Sequence, residues 1–333
     1  MNTTKPQKSY KGKIAGLSGL LVLLVALAVF LIVWFFGASY PAFYKNAREE
    51  GKIPFLREGI SPQGLCPIEA DGYDFAMSGY MVDGSPSRIC LIGKEQSKFV
   101  TVKNDGADVK THFGGIASCG GFLIVASGKQ LLRIDLAEVL HVQNGGSVSV
   151  VDSFETGIQN AFCYCANGKL YAGEFYRPGN YETDKSHHLT ANGETNYAFV
   201  YEYSVDSDGK VLNGTPEKVL SVRAQVQGIA VYEGGITLST SCGLPDSKLF
   251  TYENILNETT DGRIEIDGKE IPLYRLDSSN LTGTLTAPCM SEEIFVKEGR
   301  IYILFESLCN KYKYFVRKQI DQIISLPLED LTA

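Results

Sequence analysis

Six polar residues stand near the beginning of apolar strand patterns, and their chemical types are those that bind ions and polar molecules. Each comes shortly before a run of Gly, Ala and other apolar residues. The six are Gln63, His112, Gln159, Asn160, Gln227 and Glu292. Carboxylate, amide and imidazole groups coordinate divalent cations and hydrogen-bond polar ligands. We predict that they form a ligand-binding ring; the alternative is that they only hydrate a water-filled channel.

A second group of polar residues belongs to a long insertion rich in aromatic side chains. Glu174 ends an apolar run, and the insertion that follows contains His187 and His188. Adjacent residues of a strand point to opposite faces, so both histidines serve one site only from a loop. The catalytic candidates for acid–base chemistry are Glu174, His187 and His188. The metal candidates are Glu174, His188 and Glu292, for calcium or zinc, and the alternative is a solvated loop with surface histidines.

The elements that would position these residues are short β-strands in a recurring pattern. Residues 226–254 contain three apolar runs separated by a Gly-Gly turn and a polar turn, which is typical of an antiparallel meander. Similar stretches begin at residues 63, 115, 159, 227 and 292, between 44 and 68 residues apart. This spacing suits four-stranded propeller blades with inserted loops. We predict an all-β fold, a single β-propeller over residues 58–333, with five blades or, alternatively, six.

Alternating strand direction explains how scattered residues meet. The start of each first strand and the close of each second strand lie at the same end of a blade, so the polar residues would surround one channel mouth. In the fifth repeat we predict a third strand over residues 313–317. Weak helical patterns cover residues 137–142 and 318–325. A pair of layered β-sandwiches is the rival architecture, but it would not explain the recurrence.

The N-terminal region has the composition of a membrane anchor. Residues 14–44 carry no charge, and residues 15–36 are almost continuously apolar, which is long enough to cross a bilayer as a helix. Lysines 5, 8, 11 and 13 precede this run and place the N-terminus in the cytoplasm. We predict a cytoplasmic tail (1–13), a single transmembrane anchor (14–44), a partly helical polar stalk (45–57) and an extracytoplasmic remainder. A cleaved signal peptide is the alternative.

Charge and cysteine content add two expectations. The net charge of −7 and the lack of a basic stripe argue against nucleic-acid binding. All eight cysteines follow the apolar run, and an even number on the exported side suggests disulfides. A bridge from Cys289 to Cys242 or Cys309 is feasible; the alternative is that several cysteines are small buried hydrophobes.

Three segments resemble exported bacterial β-propeller proteins of unknown function. They are GEFYRPGNYETDKSHHL, VQGIAVYEGGITLSTSCG and SEEIFVKEGRIYILFES. More loosely, they are similar to the propeller superfamily that includes NHL-repeat and SMP-30-like lactonase domains. The latter resemblance implies a divalent metal in the channel, for which Glu292, Asn160 and Glu174 are the nearest candidates.

Two functional hypotheses follow. The first is a non-catalytic cell-surface propeller that binds a small-molecule, glycan or protein ligand at the channel mouth. The alternative is a metal-dependent hydrolase or lactonase that uses His187, His188, Glu174 and Glu292. No G-x-S-x-G, H-E-x-x-H or P-loop motif is present in the sequence, so serine hydrolases, zincins and P-loop nucleotide hydrolases have no support.

Overall fold

The computed structural model describes residues 10–36, 39–70 and 72–332. The chain divides into two compact parts, Met1–Ser39 and Tyr40–Ala333. The first part contains helix α1 (Tyr10–Phe36), whose large apolar side chains between residues 20 and 33 are exposed. Within the described residues, no helix satisfies both the length and the apolarity needed to cross a bilayer. The anchor over residues 14–44 stays a prediction from the sequence.

The second part is all-β, with few and short helices. The helices described here are α2 (Pro41–Tyr44), α3 (Leu136–His141) and the 3-10 turns Leu56–Glu58, Lys185–His187, Ile255–Asn257 and Leu328–Leu331. The strands are β1 (Arg48–Lys52), β2 (Ile60–Ala70), β3 (Tyr73–Met81), β4 (Arg88–Ile92), β5 (Ser97–Asn104), β6 (Ala107–Asp108), β7 (Phe113–Cys119), β8 (Phe122–Asp135), β9 (Ser147–Ser149), β10 (Asp152–Ala166), β11 (Lys169–Glu174), β12 (Leu189–Ala191), β13 (Glu194–Asn196), β14 (Ala198–Ser204), β15 (Lys218–Val222), β16 (Val226–Tyr232), β17 (Gly235–Thr240), β18 (Ser247–Tyr252), β19 (Gly262–Ile266), β20 (Lys269–Arg275), β21 (Leu281–Ala287), β22 (Ser291–Lys297), β23 (Arg300–Phe305) and β24 (Gln322–Pro327).

The strands form antiparallel meanders in the order of the chain. The sheets run β2-β3-β4-β5-β6, β16-β17-β18-β21 and β22-β23-β24-β1, and a separate hairpin joins β12 to β13. An eight-stranded sheet joins β7, β8, β10, β11, β14, β15, β20 and β19 because β10 is long. The first half of β10 pairs with β8, and its second half pairs with β11. The meanders predicted from the sequence are therefore present.

Five first strands, β2, β7, β10, β16 and β22, share the same irregularity. Each has a shift of register in its pairing with the following strand, at Pro62/Gly64, Phe113/Gly115, Asn160/Phe162, Val226/Gly228 and Ser291/Ile294. A β-bulge bends a strand and re-aims the neighbouring side chain. The predicted polar residues Gln63, Gln227 and Glu292 lie within these bulges. The five repeats thus share local geometry as well as sequence pattern.

The five first strands also contact one another in sequence order. β2 contacts β7, β7 contacts β10, β10 contacts β16, β16 contacts β22, and β22 contacts β2 again. Gly64 makes this approach possible, because an added Cβ would lie 2.5 Å from the backbone nitrogen of Ile116. At Gly228 an added Cβ would lie 2.8 Å from the Cα of Glu293. Glycine is needed where these backbones meet.

Glu293 joins three of these strands through its carboxylate. Oε2 accepts hydrogen bonds from the backbone N–H groups of Leu65 (2.7 Å) and Ile116 (2.9 Å), and Oε1 accepts one from Cys163 (3.1 Å). The side chain is completely buried, and burial raises its pKa well above the ordinary value even though the three N–H donors lower it. Glu293 therefore supplies acceptors for backbone groups of three separate repeats.

Three connections cover sheet edges that would otherwise be open. β9 pairs in parallel with β5, β20 pairs in parallel with β15, and the N-terminal β1 pairs with the C-terminal β24. Covering an edge removes a template for aggregation. The segment 45–57, expected as a partly helical stalk, therefore contributes an edge strand to the last sheet.

Other boundaries also differ from the expectations. Residues 313–317 lie in turns rather than in a strand, and β24 occupies the second half of the segment with the weak helical pattern over 318–325. The other weak helical pattern is α3, whose N-cap Asp135 accepts a hydrogen bond from Ala137 N–H. β24 forms a strand despite its weak helical pattern because it pairs with β23. This pairing buries Ile323, Ile324 and Leu326.

The one disulfide among the described residues is not the pairing that the sequence made feasible. Cys119, at the end of β7, is bonded to Cys165, near the end of β10. Cys289, Cys242 and Cys309 are free, so the bridge considered feasible is not formed. Cys289 packs with Met290 and Val316, whereas Cys309 Sγ lies 3.6 Å from Ser61 Oγ. Matching positions in neighbouring repeats did not bring those sulfurs into bonding geometry.

Candidate ligand-binding site

A cavity of about 370 Å³ lies at the end of the sheets where the five first strands begin. Side chains from repeats one to four line it, namely Gln63, His112, Gln159, Asn160 and Gln227. These are five of the six residues predicted to bind a ligand. We call this space the mouth cavity, and the end of the molecule that carries it the mouth end.

The sixth predicted residue, Glu292, lies beneath the cavity rather than in its wall. Its Oε1 accepts a hydrogen bond of 3.3 Å from Gln227 Nε2, and its carboxyl group is hydrogen-bonded to that of Glu306. Glu306 lines the cavity, and its Oε2 accepts hydrogen bonds from Gln63 Nε2 (3.1 Å) and Ser61 Oγ (2.8 Å). The polar contacts thus run without interruption from repeat four through repeat five to repeat one.

The two buried carboxyl groups interact, and the pKa of each is raised. Burial raises the pKa of Glu292 well above its ordinary value, and the neighbouring Glu306 raises it further. Burial also raises the pKa of Glu306, while Ser61 and the bond from Glu292 lower it. Two like charges in contact cannot both be ionised at low cost. Glu292 therefore retains the proton and donates to Glu306.

His112 extends the polar network into repeat two. Its Nε2 lies 2.7 Å from Gln63 Oε1, and its ring packs on Tyr80 with centroids 4.1 Å apart. Loss of hydration and the nearby Lys311 ammonium lower the pKa of His112 to about 4. Because Gln63 donates through its nitrogen, its oxygen is the acceptor, and neutral His112 donates from Nε2.

The insertion after β11 forms another side of the cavity. Phe175, Arg177, Tyr181, Glu182 and Thr183 line it. Phe175 and Tyr181 pack edge to face with centroids 5.5 Å apart, while the side chain of Tyr181 stays 56% exposed. The insertion therefore brings aromatic faces and a guanidinium group to the residues of the first strands.

The predicted catalytic residues hold this insertion in place. Glu174 is buried, and its Oε2 lies 2.8 Å from His187 Nδ1 and accepts a hydrogen bond of 3.0 Å from Phe199 N–H. The His187 ring stacks on Phe199 at 4.2 Å. His188 Nε2 lies 3.1 Å from Thr183 Oγ1, and its ring packs against Tyr176 and Tyr197. None of Glu174, His187 and His188 lines the mouth cavity.

The predicted metal ligands are divided between two places. Glu174 is bonded to His187, whereas Glu292 is bonded to Glu306 and Gln227. Across the described residues, no group of three or more His, Cys, Asp or Glu side chains is arranged to hold a metal ion. A calcium or zinc site, and the hydrolase that would use it, stay predictions from the sequence.

Several cavity residues were not among the predicted site residues. Tyr80, Cys242, Lys311 and Tyr312 line the cavity from the end of a second strand or from the turns that follow second strands. Lys311 Nζ donates to Tyr80 Oη at 2.9 Å and lies 4.8 Å from the Tyr312 ring centroid. Their position in the sequence could have identified them. Each lies at or after the end of a second strand, as Glu174 does in the third repeat.

Comparisons with known proteins place the chain in no established family. No protein-family profile and no curated protein matches it. Among solved structures, apo AztD from Citrobacter koseri matches with a TM-score of 0.29 and 11% identity, covering 73% of this chain and 58% of that chain. The tail fiber of Staphylococcus aureus phage P68 matches with a TM-score of 0.40 and 9% identity, covering 90% and 55%. Both of these structures are β-rich, and the chain spans little more than half the length of either. At these TM-scores the similarity supports no statement about function.

Proposed function

We propose that this chain is a membrane-anchored, extracytoplasmic five-bladed β-propeller that binds a saccharide in its mouth cavity. The observation that carries the proposal is the convergence of amide, imidazole, carboxyl and aromatic groups from all five repeats on one space of about 370 Å³. Such a volume and mixture of groups is typical of small-ligand sites.

The propeller architecture is supported by the common features of the five first strands. They share a register shift in the pairing with the following strand, and each contacts the next until β22 returns to β2. Pairing of β1 with β24 joins the first and last described strands within the fifth blade. A closed ring of five blades accounts for all three features.

A saccharide fits the chemistry of the cavity. Gln159 and Gln227 offer amide groups that donate to and accept from hydroxyl groups. Tyr181 and Phe175 offer apolar ring faces on which the C–H face of a pyranose can pack. The network behind the wall holds Gln63 and Gln227 in fixed orientations, which lowers the entropic cost of binding.

Membrane anchoring is supported by the sequence of the first 44 residues. The uncharged apolar run and the lysines before it have the pattern of a single span with a cytoplasmic N-terminus. We expect the full-length chain to remain with membranes after alkaline carbonate extraction. Release into the supernatant would contradict the anchor and leave the saccharide site to be judged separately.

Saccharide binding is best measured with the full-length chain in lipid nanodiscs, since maltoside detergents would compete. We would titrate N-acetylglucosamine oligomers and malto-oligosaccharides by calorimetry. Replacing the exposed ring in Tyr181→Ala should weaken binding at least about tenfold, because ring stacking is lost, at roughly 1.4 kcal/mol per factor of ten. Gln227→Ala should also weaken it.

The matched control is Leu212→Ala. Leu212 is 57% exposed, but its N–H donates to Ser204 O at the end of β14, away from the mouth cavity. This variant should bind as tightly as the parent chain. Absence of saturable binding by either saccharide series, or binding that Tyr181→Ala and Gln227→Ala leave unchanged, would contradict the saccharide proposal.

A further inference from the structure

A basic and aromatic turn extends from the wall of the mouth cavity to the outside of the molecule. We define the basic–aromatic turn as residues 307–320, between β23 and β24; it contains Lys311, Lys313, Arg317 and Lys318 and no acidic residue. Lys311 and Tyr312 line the mouth cavity, whereas Tyr314 and Phe315 are 73% and 62% exposed. Four basic residues together stand out in a chain whose net charge is −7.

The same turn contacts the first residues of the second compact part. Lys318 Nζ lies 5.5 Å from the centroid of the Tyr44 ring. Tyr40 Oη donates to Asp246 Oδ1 at 2.5 Å, and Arg317 Nη1 donates to the same oxygen at 3.3 Å. Asp246 belongs to the turn between β17 and β18 whose Cys242 and Gly243 line the mouth cavity. The chain therefore enters this part of the protein at its mouth end.

The predicted anchor and this entry point are neighbours along the chain. Helix α1 ends at Phe36, four positions before Tyr40. The second compact part is therefore tethered through a short linker to any membrane that holds the anchor.

We propose that the basic–aromatic turn docks on the anionic headgroup surface of the membrane, so that the mouth cavity opens next to the bilayer. Tyrosine is enriched at membrane interfaces, and lysine side chains are attracted to anionic lipids. Exposed Tyr314 and Phe315 beside Lys313 and Lys318 combine both properties. The proposal rests on the proposed anchor and narrows the ligand to a saccharide presented at the membrane surface.

The test places a fluorescent reporter on the turn of the full-length chain. Trp34 is the single tryptophan, so Phe315→Trp is made in a Trp34→Phe background and reconstituted in vesicles that contain phosphatidylglycerol brominated high in the acyl chain. We expect at least half of the Phe315→Trp fluorescence to be quenched. The matched control, Leu212→Trp in the same background, should lose almost none.

Charge reversal tests the electrostatic part. Lys313→Glu combined with Lys318→Glu should reduce the quenching at least twofold, and replacing phosphatidylglycerol by phosphatidylcholine should do the same. Lys210→Glu, an exposed residue whose carbonyl accepts from Asp206 N–H far from the mouth cavity, should leave it unchanged.

The outcomes separate the docking from the anchor. Vesicle flotation with alkaline carbonate washing reports the anchor alone. A chain that floats but shows equal quenching at positions 315 and 212 overturns the docking and leaves the anchor standing. If the quenching depends on the protein-to-lipid ratio and not on lipid charge, the turn contacts a second copy of the chain. This result would also overturn the docking proposal. A chain that does not float overturns both.

Discussion

At the residue scale, the centre of this protein contains more buried acid than a hydrophobic core normally holds. Glu292, Glu293 and Glu306 are all buried, in two different arrangements. Glu293 accepts from three backbone N–H groups, whereas Glu292 and Glu306 share a proton and are contacted by Gln227, Gln63 and Ser61. Buried acids persist when every polar atom has a partner.

The shared proton makes the stability of the protein depend on pH. The pKa of Glu292 is raised in the folded state, so between its unfolded pKa of about 4.3 and its folded pKa the native chain binds more protons than the unfolded chain. The contribution of Glu292 to the free energy of unfolding is complete below about pH 4.3. It decreases by roughly 1.4 kcal/mol per pH unit as pH rises towards the folded pKa. We expect Glu292→Gln to gain stability relative to the parent chain as pH rises from 4.5 to 8.

Urea unfolding at a series of pH values measures this difference. Glu298→Gln, at an exposed turn, is the matched control and should show a difference that does not change with pH. A pH-independent difference for Glu292→Gln would contradict the shared proton.

The two carboxyl oxygens of Glu293 should stabilise the fold because they accept hydrogen bonds from three backbone N–H groups. In Glu293→Gln one carboxylate oxygen becomes an NH2 donor, which leaves at least one buried backbone N–H of β2, β7 or β10 without a partner. An unsatisfied buried group costs about 1–3 kcal/mol, so we expect the free energy of unfolding to fall by that amount. Chemical denaturation measures it, and again Glu298→Gln is the control. A loss below about 0.5 kcal/mol, the range of ordinary surface substitutions, would show that these acceptors are dispensable.

At the element scale, the insertion after β11 is fixed to the rigid sheets by a few side chains. Glu174 at the end of β11 holds His187, and Thr183 Oγ1 donates to Tyr197 O and lies near His188. The sequence suggested these residues for catalysis, because carboxylate and imidazole groups near a cavity are typical of acid–base sites. The structure gives them partners that position the loop whose Arg177 and Tyr181 face the cavity.

Removing this contact should loosen the insertion without unfolding the sheets. In His187→Ala we expect tryptic cleavage after the exposed Lys185 to be several-fold faster, because local opening costs less free energy when the stacking on Phe199 and the bond to Glu174 are absent. The global melting temperature should change little. His141→Ala on α3 is the matched control and should digest like the parent chain. Unchanged cleavage would mean that other contacts hold the loop.

At the scale of the whole molecule, links between distant parts of the chain complete the architecture. β1 pairs with β24 at the other end of the sequence, and β20 extends the sheet of another repeat. The disulfide Cys119–Cys165 links β7 to β10 across 46 residues. The strand pairings join distant segments in the folded state, whereas the disulfide also restricts the unfolded chain.

The disulfide is the link most easily tested. Cys119→Ser should lower the free energy of unfolding by about 2–4 kcal/mol, since a closed loop of this length restricts the entropy of the unfolded chain. Thermal and chemical denaturation measure this loss. Cys242→Ser, at a free and partly exposed cysteine, is the control for stability. A Cys119→Ser variant as stable as the parent chain would show that the bridge does not constrain the unfolded state.

The sequence by itself determined the strands and the common position of the polar residues. Period-two patterns between Gly and Asp turns mark β3, β4, β16 and β17 nearly to their ends, because side-chain alternation and turn chemistry are local properties. The same periodicity placed Gln63, Asn160 and Gln227 at corresponding points of successive repeats, which is why they meet at one cavity.

Only the tertiary structure decided which of these residues touch one another. The partners of Glu293, the pairing of Cys119 with Cys165, and the division of Glu174 from Glu292 all depend on distances between residues that are 46 to 228 positions apart or lie in different repeats. Likewise β24 is a strand because β23 and β1 pair with it, not because of its own propensity. Contacts between the sheets depend on how strands bend and approach, and no local pattern in the sequence encodes those distances.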